Sequence, residues 1–370
     1  MTSGGDWSDL VLHVGHAKTG SSALQSRLAL STEALAAQGI TYPWHISVEA
    51  ARKGYITSGN IESDLIVETY DQACLTHPQA SRFLFSNEVL TSRLLRSTQP
   101  LETLIKRGVS VALILFIRNP LSHAISLYGQ SVKRGGQTGD IDEHLASYRM
   151  PEAITHFLKW QRDAGVKVHI ANYSRHAHDP GLVFCDLLEL RRNTLSLSPV
   201  STVNRSLTPS ELYLQRAFNR GWGKGSNVFV SDRLCNKLPE IFVPPPTLSQ
   251  RQYDAFCDRV GPMIEAANQI IPSSEAYQLE PYDMFSGHHP ETGDIRFSTA
   301  QVDVLADAIA ARIPPSHLTD AFFDLVEALR DGRAVEEKDI TLLIEMARAL
   351  RPGTKRFKRP SKPSRCFDSQ

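Results

Sequence analysis

The sequence predicts an α/β fold with a central, mostly parallel sheet flanked by helices in three layers. Three observations predict it. Short apolar segments alternate with helical ones from Leu10 to Ala171. One of them, Val111–Ile117, is apolar at every position, as a strand covered on both faces must be. Another, Leu10–Val14, runs into a loop rich in Gly, Ser and Thr and then into a helical stretch. That is the strand–loop–helix order of a βα unit.

Strands are expected at Leu10–Val14, Gly39–Tyr42, Phe83–Ser86, Val111–Ile117 and Val166–Ala171. The first helix is expected over Ala23–Leu35. Thr98–Arg107 sets Leu101, Leu104 and Ile105 at helical spacing and stops at Gly108. Ile154–Ala164 does the same with Ile154, Phe157, Leu158 and Trp160, and stops at Gly165. Thr208-Pro209-Ser210-Glu211 opens a helix with a Thr cap, Pro in first position and Glu three residues after the cap. Leu248–Ile271 and Ser298–Ile313 also read as helices. Residues 286–298, rich in Gly, His, Pro and Asp, read as a linker or surface loop. Residues 351–365 hold seven basic residues and three prolines with no acid. Such a tail is expected to be disordered, either a solubilising end or an arm for an anionic surface.

Composition excludes several classes. The chain of 370 residues has 40 basic and 40 acidic side chains, so no global field favours nucleic acid and an anion site must be built locally. Five cysteines, at 74, 185, 235, 257 and 366, are scattered and form no C-x-x-C pair. They read as reduced thiols rather than zinc ligands, which suits a cytoplasmic protein. Residues 1–9 are polar, so no signal peptide is expected. No apolar run approaches the length of a bilayer span.

Two constellations carry chemistry. The first is the loop Gly15-His16-Ala17-Lys18-Thr19-Gly20-Ser21-Ser22. Its backbone N–H groups and the following helix N-terminus would face an anion together, and Lys18 adds a point charge. The spacing is not that of a Walker A loop, where Lys directly follows the second Gly; here Lys18 lies two residues before Gly20. The plain alternative is a polar turn without a ligand. The second constellation is Arg118-Asn119-Pro120 with Ser126 eight residues after the Arg. Arg118 sits at the C-terminal end of the most apolar strand, the edge where open α/β sheets bind ligands. About two helical turns separate it from Ser126, so both can face one phosphate. The alternative is an Arg held at a strand end by a local salt bridge.

Lys18-Thr19-Gly20-Ser21-Ser22 resembles the 5′-phosphosulfate loop of the sulfotransferases that use 3′-phosphoadenosine 5′-phosphosulfate (PAPS), and looks closest to their bacterial, carbohydrate-type branch. Arg118-Asn119-Pro120 with Ser126 resembles their 3′-phosphate site. Ala36–Pro43, Phe157–Trp160 with Val166–Tyr173, and Asn204-Arg205-Ser206-Leu207-Thr208-Pro209 extend the resemblance, which spans residues 8–272. It implies a P-loop-like three-layer sandwich over residues 1–285 that binds PAPS. A helical C-terminal extension over 286–350 and the basic tail 351–370 would follow it. It implies PAPS as sulfuryl donor, a hydroxyl or amine of a carbohydrate or glycoconjugate as acceptor, and no metal. Lys18 would stabilise the leaving phosphate oxygen. Thr19, Gly20, Ser21 and Ser22 would hold the 5′-phosphate, and Arg118 and Ser126 the 3′-phosphate.

The acceptor must also lose a proton, so a base near the sulfur is expected. Glu88, after the strand Phe83–Ser86, is one candidate; its other reading is a carboxylate at a helix N-terminus. His16, inside the loop, is the alternative base. His13 reads as a packed or hydrogen-bonded histidine. Lys133 and Arg134 either meet an anionic acceptor or end a solvated helix. Two other functions fit parts of the pattern: an atypical P-loop kinase or NTPase, and a non-catalytic protein that binds the nucleotide product PAP.

Overall fold

The computed structural model describes residues 9–55, 57–198, 205–244, 247–286, 295–311 and 319–348. Its centre is a four-stranded, all-parallel sheet of β1 (Leu10–Val14), β2 (Phe83–Asn87), β3 (Val111–Ile117) and β4 (Lys167–Asn172), in the order β2-β1-β3-β4. Leu10 aligns with Phe83 on one side and Val111 on the other, and Ile117 aligns with Asn172. Every residue of β1, β2 and β3 is buried. The pleat sends alternate side chains to opposite faces. Leu10, Leu12, Leu113 and Leu115 enter one core, and Val11, Ile114 and Phe116 enter another. Helices cover both faces, so the chain is α/β with the sheet as its middle layer.

The first helical stretch is two helices, α1 (Ser21–Leu30) and α2 (Thr32–Ala36). Ser31 breaks the run with a non-helical backbone, and its hydroxyl accepts from the Ser196 amide at 2.8 Å. The strand expected at Gly39–Tyr42 shrinks to a single bridge between Thr41 and Phe83. Beyond it, α3 (Ile46–Arg52) leads to residues that close the β2 edge another way. The Ser86 amide donates to Asn60 Oδ1 at 2.8 Å, and Asn60 Nδ2 donates to the Leu84 carbonyl at 3.3 Å. Gly59 bridges Asn87 with φ of 116°, and a Cβ there would lie 1.7 Å from the Ser86 carbonyl oxygen. A side-chain amide and a glycine therefore satisfy an edge that would otherwise stay open to pairing.

Helices α4 (Ile66–Thr76), α5 (Leu90–Arg96) and α6 (Gln99–Lys106) follow on either side of β2. After β3 come α7 (Pro120–Gln130), a π-helical turn at Ser131–Gly135, α8 (Ile141–Ser147) and α9 (Met150–Asp163). Helix α9 begins four residues before Ile154 because Pro151 suits a first turn. After β4 the chain forms α10 (Tyr173–His176) and α11 (Pro180–Leu187). Side chains of α4–α7 and α9 fill one core with the sheet, and those of α1–α3 and α11 the other.

Helix α12 (Pro209–Trp222) opens with the capping box expected from Thr208 and Glu211. Next are α13 (Ser231–Lys237) and α14 (Gln250–Asn268), which adds Phe256, Val260 and Ile264 to the first core. The last helices are α15 (Thr299–Ala310), α16 (Asp320–Arg330) and α17 (Glu337–Arg348). They pack on α12 and α13 in a third core that includes Leu214, Phe218, Leu234, Leu305, Phe322 and Ile344. A buried polar cluster joins the same elements. Arg205 pairs with Glu211 through two bonds of 2.7 and 2.8 Å, and Gln301 donates to Glu211 at 2.7 Å. Residues 287–294 of the expected linker and the basic tail lie outside the described residues. Among the described residues no helix is long and apolar enough to cross a membrane.

Candidate functional site

The strand order creates a crevice. The chain leaves β1 for β2 on one side and leaves β3 for β4 on the other. Ligands bind at the carboxyl ends of strands where directions diverge in this way. The loop Gly15–Gly20 emerges there from β1, and Arg118 from β3. Gly20 caps α1 in the left-handed region at φ 79°, and a Cβ would lie 2.8 Å from the Tyr173 ring. Lys18 is itself left-handed at φ 66°, a conformation rare for a residue with a side chain. Three contacts hold the loop in this shape. Arg118 Nη1 donates to the Lys18 carbonyl at 3.0 Å, the Thr19 hydroxyl donates to the His16 carbonyl, and His123 Nε2 donates to the Ala17 carbonyl at 3.0 Å. The first turn of α1 has no side-chain cap and no acidic residue, so its N–H groups and dipole favour an anion.

Lys18, Arg118 and Ser126 open onto one cavity of about 1200 Å³. Ser122 joins them, one helical turn after Arg118 on α7. Lys133 does so from the π turn, a device that recurs at functional sites. Its side chain is buried, and its ammonium donates to the Arg205 carbonyl at 3.1 Å. Burial, with Lys133 and Arg118 nearby, brings the Lys18 pKa down to about 8, while Glu88 pulls the other way. Burial likewise lowers Lys133 and Arg118 from their ordinary values. Arg118 lies 5.8 Å from the centre of the Tyr173 ring and hydrogen-bonds a carbonyl, not a carboxylate, so it is not tied by the local salt bridge considered above. It also faces Glu280, whose carboxyl burial pushes up. Crowded, poorly hydrated cations of this kind favour an anionic ligand.

Glu88 follows β2 directly against the loop: a Cβ on Gly15 would lie 3.0 Å from its Cα. Burial raises its pKa and Lys18 opposes the rise. It does not line the large cavity, and neither does His16. His16 is buried and stacks on His123 with ring centres 4.0 Å apart. Neither of its ring nitrogens has a hydrogen-bond partner, and burial brings its pKa down to about 3. His123 also lines up with the Tyr148 hydroxyl at 2.8 Å through Nδ1. A carbonyl only accepts, so His123 carries its proton on Nε2. His13 packs edge-on against Phe116 and Phe184 and meets the Ser86 hydroxyl at 2.8 Å. The Ser21 hydroxyl is buried without a partner, and Ser22 is half-buried on the first turn of α1. Arg134 pairs with Asp232 at 2.7 Å. Lys133 and Arg134 therefore part company: one is buried in the cavity wall and the other is held in a surface pair.

Ser122, Tyr173, Glu280 and Arg216, which lines the cavity from α12, carry no mark in the sequence analysis. Ser122 had a signal, the four-residue spacing from both Arg118 and Ser126. The other three arrive by tertiary packing from remote elements, and no local pattern marks them. Among the described residues no group of His, Cys, Asp or Glu is placed to hold a metal ion. No family model matches the chain, and no curated protein matches it.

Proposed function

We propose that the chain is a PAPS-dependent sulfotransferase with a P-loop-like fold, acting on a hydroxyl or amine of a carbohydrate or glycoconjugate. One observation carries this reading. Two motifs suited to anions, 100 residues apart, meet where Arg118 donates to the Lys18 carbonyl, and Lys18 of one and Arg118 and Ser126 of the other open onto one cavity. A nucleotide with a 5′-phosphosulfate and a 3′-phosphate presents two separate anions, which suits two separate cationic groups.

On this reading the loop N–H groups with Thr19, Gly20, Ser21 and Ser22 bind the 5′-phosphate, and Arg118 and Ser126 bind the 3′-phosphate. The acceptor oxygen or nitrogen forms its bond to sulfur as the bond from sulfur to the phosphate oxygen breaks. Lys18 neutralises charge on that leaving oxygen. Glu88 takes the acceptor proton. A carboxyl with a raised pKa is a better base than an imidazole whose pKa lies near 3, which favours Glu88 over His16. Alignment and charge stabilisation supply most of the rate in such transfers.

Calorimetry with PAP, ADP and ATP tests the reading. PAP is expected to bind at least about tenfold more tightly than ADP, the scale of one charged hydrogen bond. Arg118→Ala should erase most of that preference. Equal affinity for PAP and ADP sinks the assignment. Magnesium-dependent ATP binding tighter than PAP points to the kinase alternative. Tight PAP binding with no turnover on a broad acceptor panel points to a non-catalytic binder.

A further inference from the structure

The cavity has room beyond a nucleotide. Its volume of about 1200 Å³ exceeds the roughly 300–1,000 Å³ of a single small-molecule site. Its lining is also mixed. Besides its cations the wall includes Leu212, Ile241, Val243 and Phe285. Phe242 lines it too, and is 80% exposed.

Arg205 and Arg216 line the cavity with these side chains. Arg216 on α12 lines the cavity, and its Nη1 donates to the Tyr128 hydroxyl at 3.1 Å. Tyr128 in turn donates to the Gly139 carbonyl at 3.1 Å. Arg216 Nε is buried and has no hydrogen-bond partner. Neighbouring arginines are served differently: Arg134 pairs with Asp232 and Arg205 with Glu211. Of the acids at the cavity, Glu240 is exposed, and Asp140 and Asp142 are engaged elsewhere. Asp140 caps α8 by accepting from the Glu143 amide at 3.0 Å, and Asp142 accepts from Gln252. A guanidinium with an unmade bond in a partly apolar wall is incompletely satisfied.

We infer that the cavity also binds an anionic amphiphile, a small molecule whose carboxylate or phosphate pairs with Arg216 while its apolar portion packs on Ile241, Phe242 and Phe285. The idea that this molecule is the sulfuryl acceptor rests on the proposed function. The pairing with Arg216 does not.

Calorimetry with octyl glucuronide, octyl glucoside and glucuronic acid, below their micelle concentrations and with and without PAP, separates the two. The native chain is expected to bind octyl glucuronide at least about tenfold more tightly than either comparison probe, as one charged hydrogen bond plus apolar contact would give. Arg216→Met should bind both octyl compounds alike with PAP affinity unchanged, and Arg216→Lys should keep part of the preference. Phe242→Ser should weaken both octyl compounds. Equal native affinity for the two octyl compounds overturns the inference. So does a preference that survives Arg216→Met, or no binding of any probe. Failure of PAP to bind overturns the proposed function instead, and the PAP-free arm still decides the role of Arg216.

Discussion

Lys18 combines a left-handed backbone, a half-buried side chain and two neighbouring cations. Such strain persists where the surroundings over-determine it, as at ligand sites. Below about pH 8 the side chain is protonated in both folded and unfolded states, and the native state bears the burial of its charge. Between that pH and its ordinary value of 10.5 only the unfolded state keeps the proton, so stability rises with pH across that window. Lys18→Met is expected to raise stability at pH 7 by about 0.5–2 kcal/mol and to abolish that rise, both measurable by thermal melts, while turnover collapses. Glu88→Gln tests the base. Turnover should fall by about 10²–10⁴-fold with PAP affinity retained. Burial raises the Glu88 carboxyl, so the acidic limb of the native pH–rate profile should lie above the ordinary carboxylate range and flatten in the variant. Near-native turnover in Glu88→Gln, with a large loss in His16→Ala, would transfer the role to His16.

The loop after β1 and the segment from β3 through α7 and the π turn carry the candidate site between them. Gly20 joins the loop to α1 at a backbone angle that L side chains resist, against the Tyr173 ring. Gly20→Ala should cost about 1–3 kcal/mol of stability and weaken PAP in proportion as the loop shifts. Unchanged melting and PAP affinity would show that the loop geometry does not matter to binding. The elements most visible in the sequence were those with a purely local cause. Val111–Ile117 matches β3 end to end, and the Thr208 capping box forms. Gly39–Tyr42 shrinks to one bridge and the Ala23–Leu35 helix breaks only at Ser31, and remote partners meet the chain at both places: Asn60 takes the β2 edge, and the Ser196 amide donates to the Ser31 hydroxyl. Lys133 is buried because a π turn follows α7, and no residue pattern announced that turn.

At the scale of the whole molecule, the alternation of strands and helices indicated an α/β chain, and charge neutrality spoke against a global field. The meeting of Lys18 with Arg118 followed from motif order and from the rule for sheet edges. The third core did not follow. Leu214, Phe218 and Leu234 pack with α15, α16 and α17, so a core spans the residues on both sides of position 285 that the resemblance implies as a boundary. Hydrophobic faces on α12 and on the last helices are each legible as amphipathic stretches. Which face meets which is a tertiary matter that spacing within one helix cannot encode.

Helix α12 has two sides with different duties. Leu212 and Arg216 line the cavity, while Leu214 and Phe218 sit in the core shared with the last three helices. A molecule seated in the cavity therefore braces elements that it never touches. Opening α15–α17 uncovers one side of α12 and loosens the wall on the other. Amide hydrogen exchange should report this as slower deuteration of α15, α16 and α17 when PAP or octyl glucuronide is bound. Unaltered exchange there, with protection confined to the loop and α7, would mean that the two sides of α12 open independently.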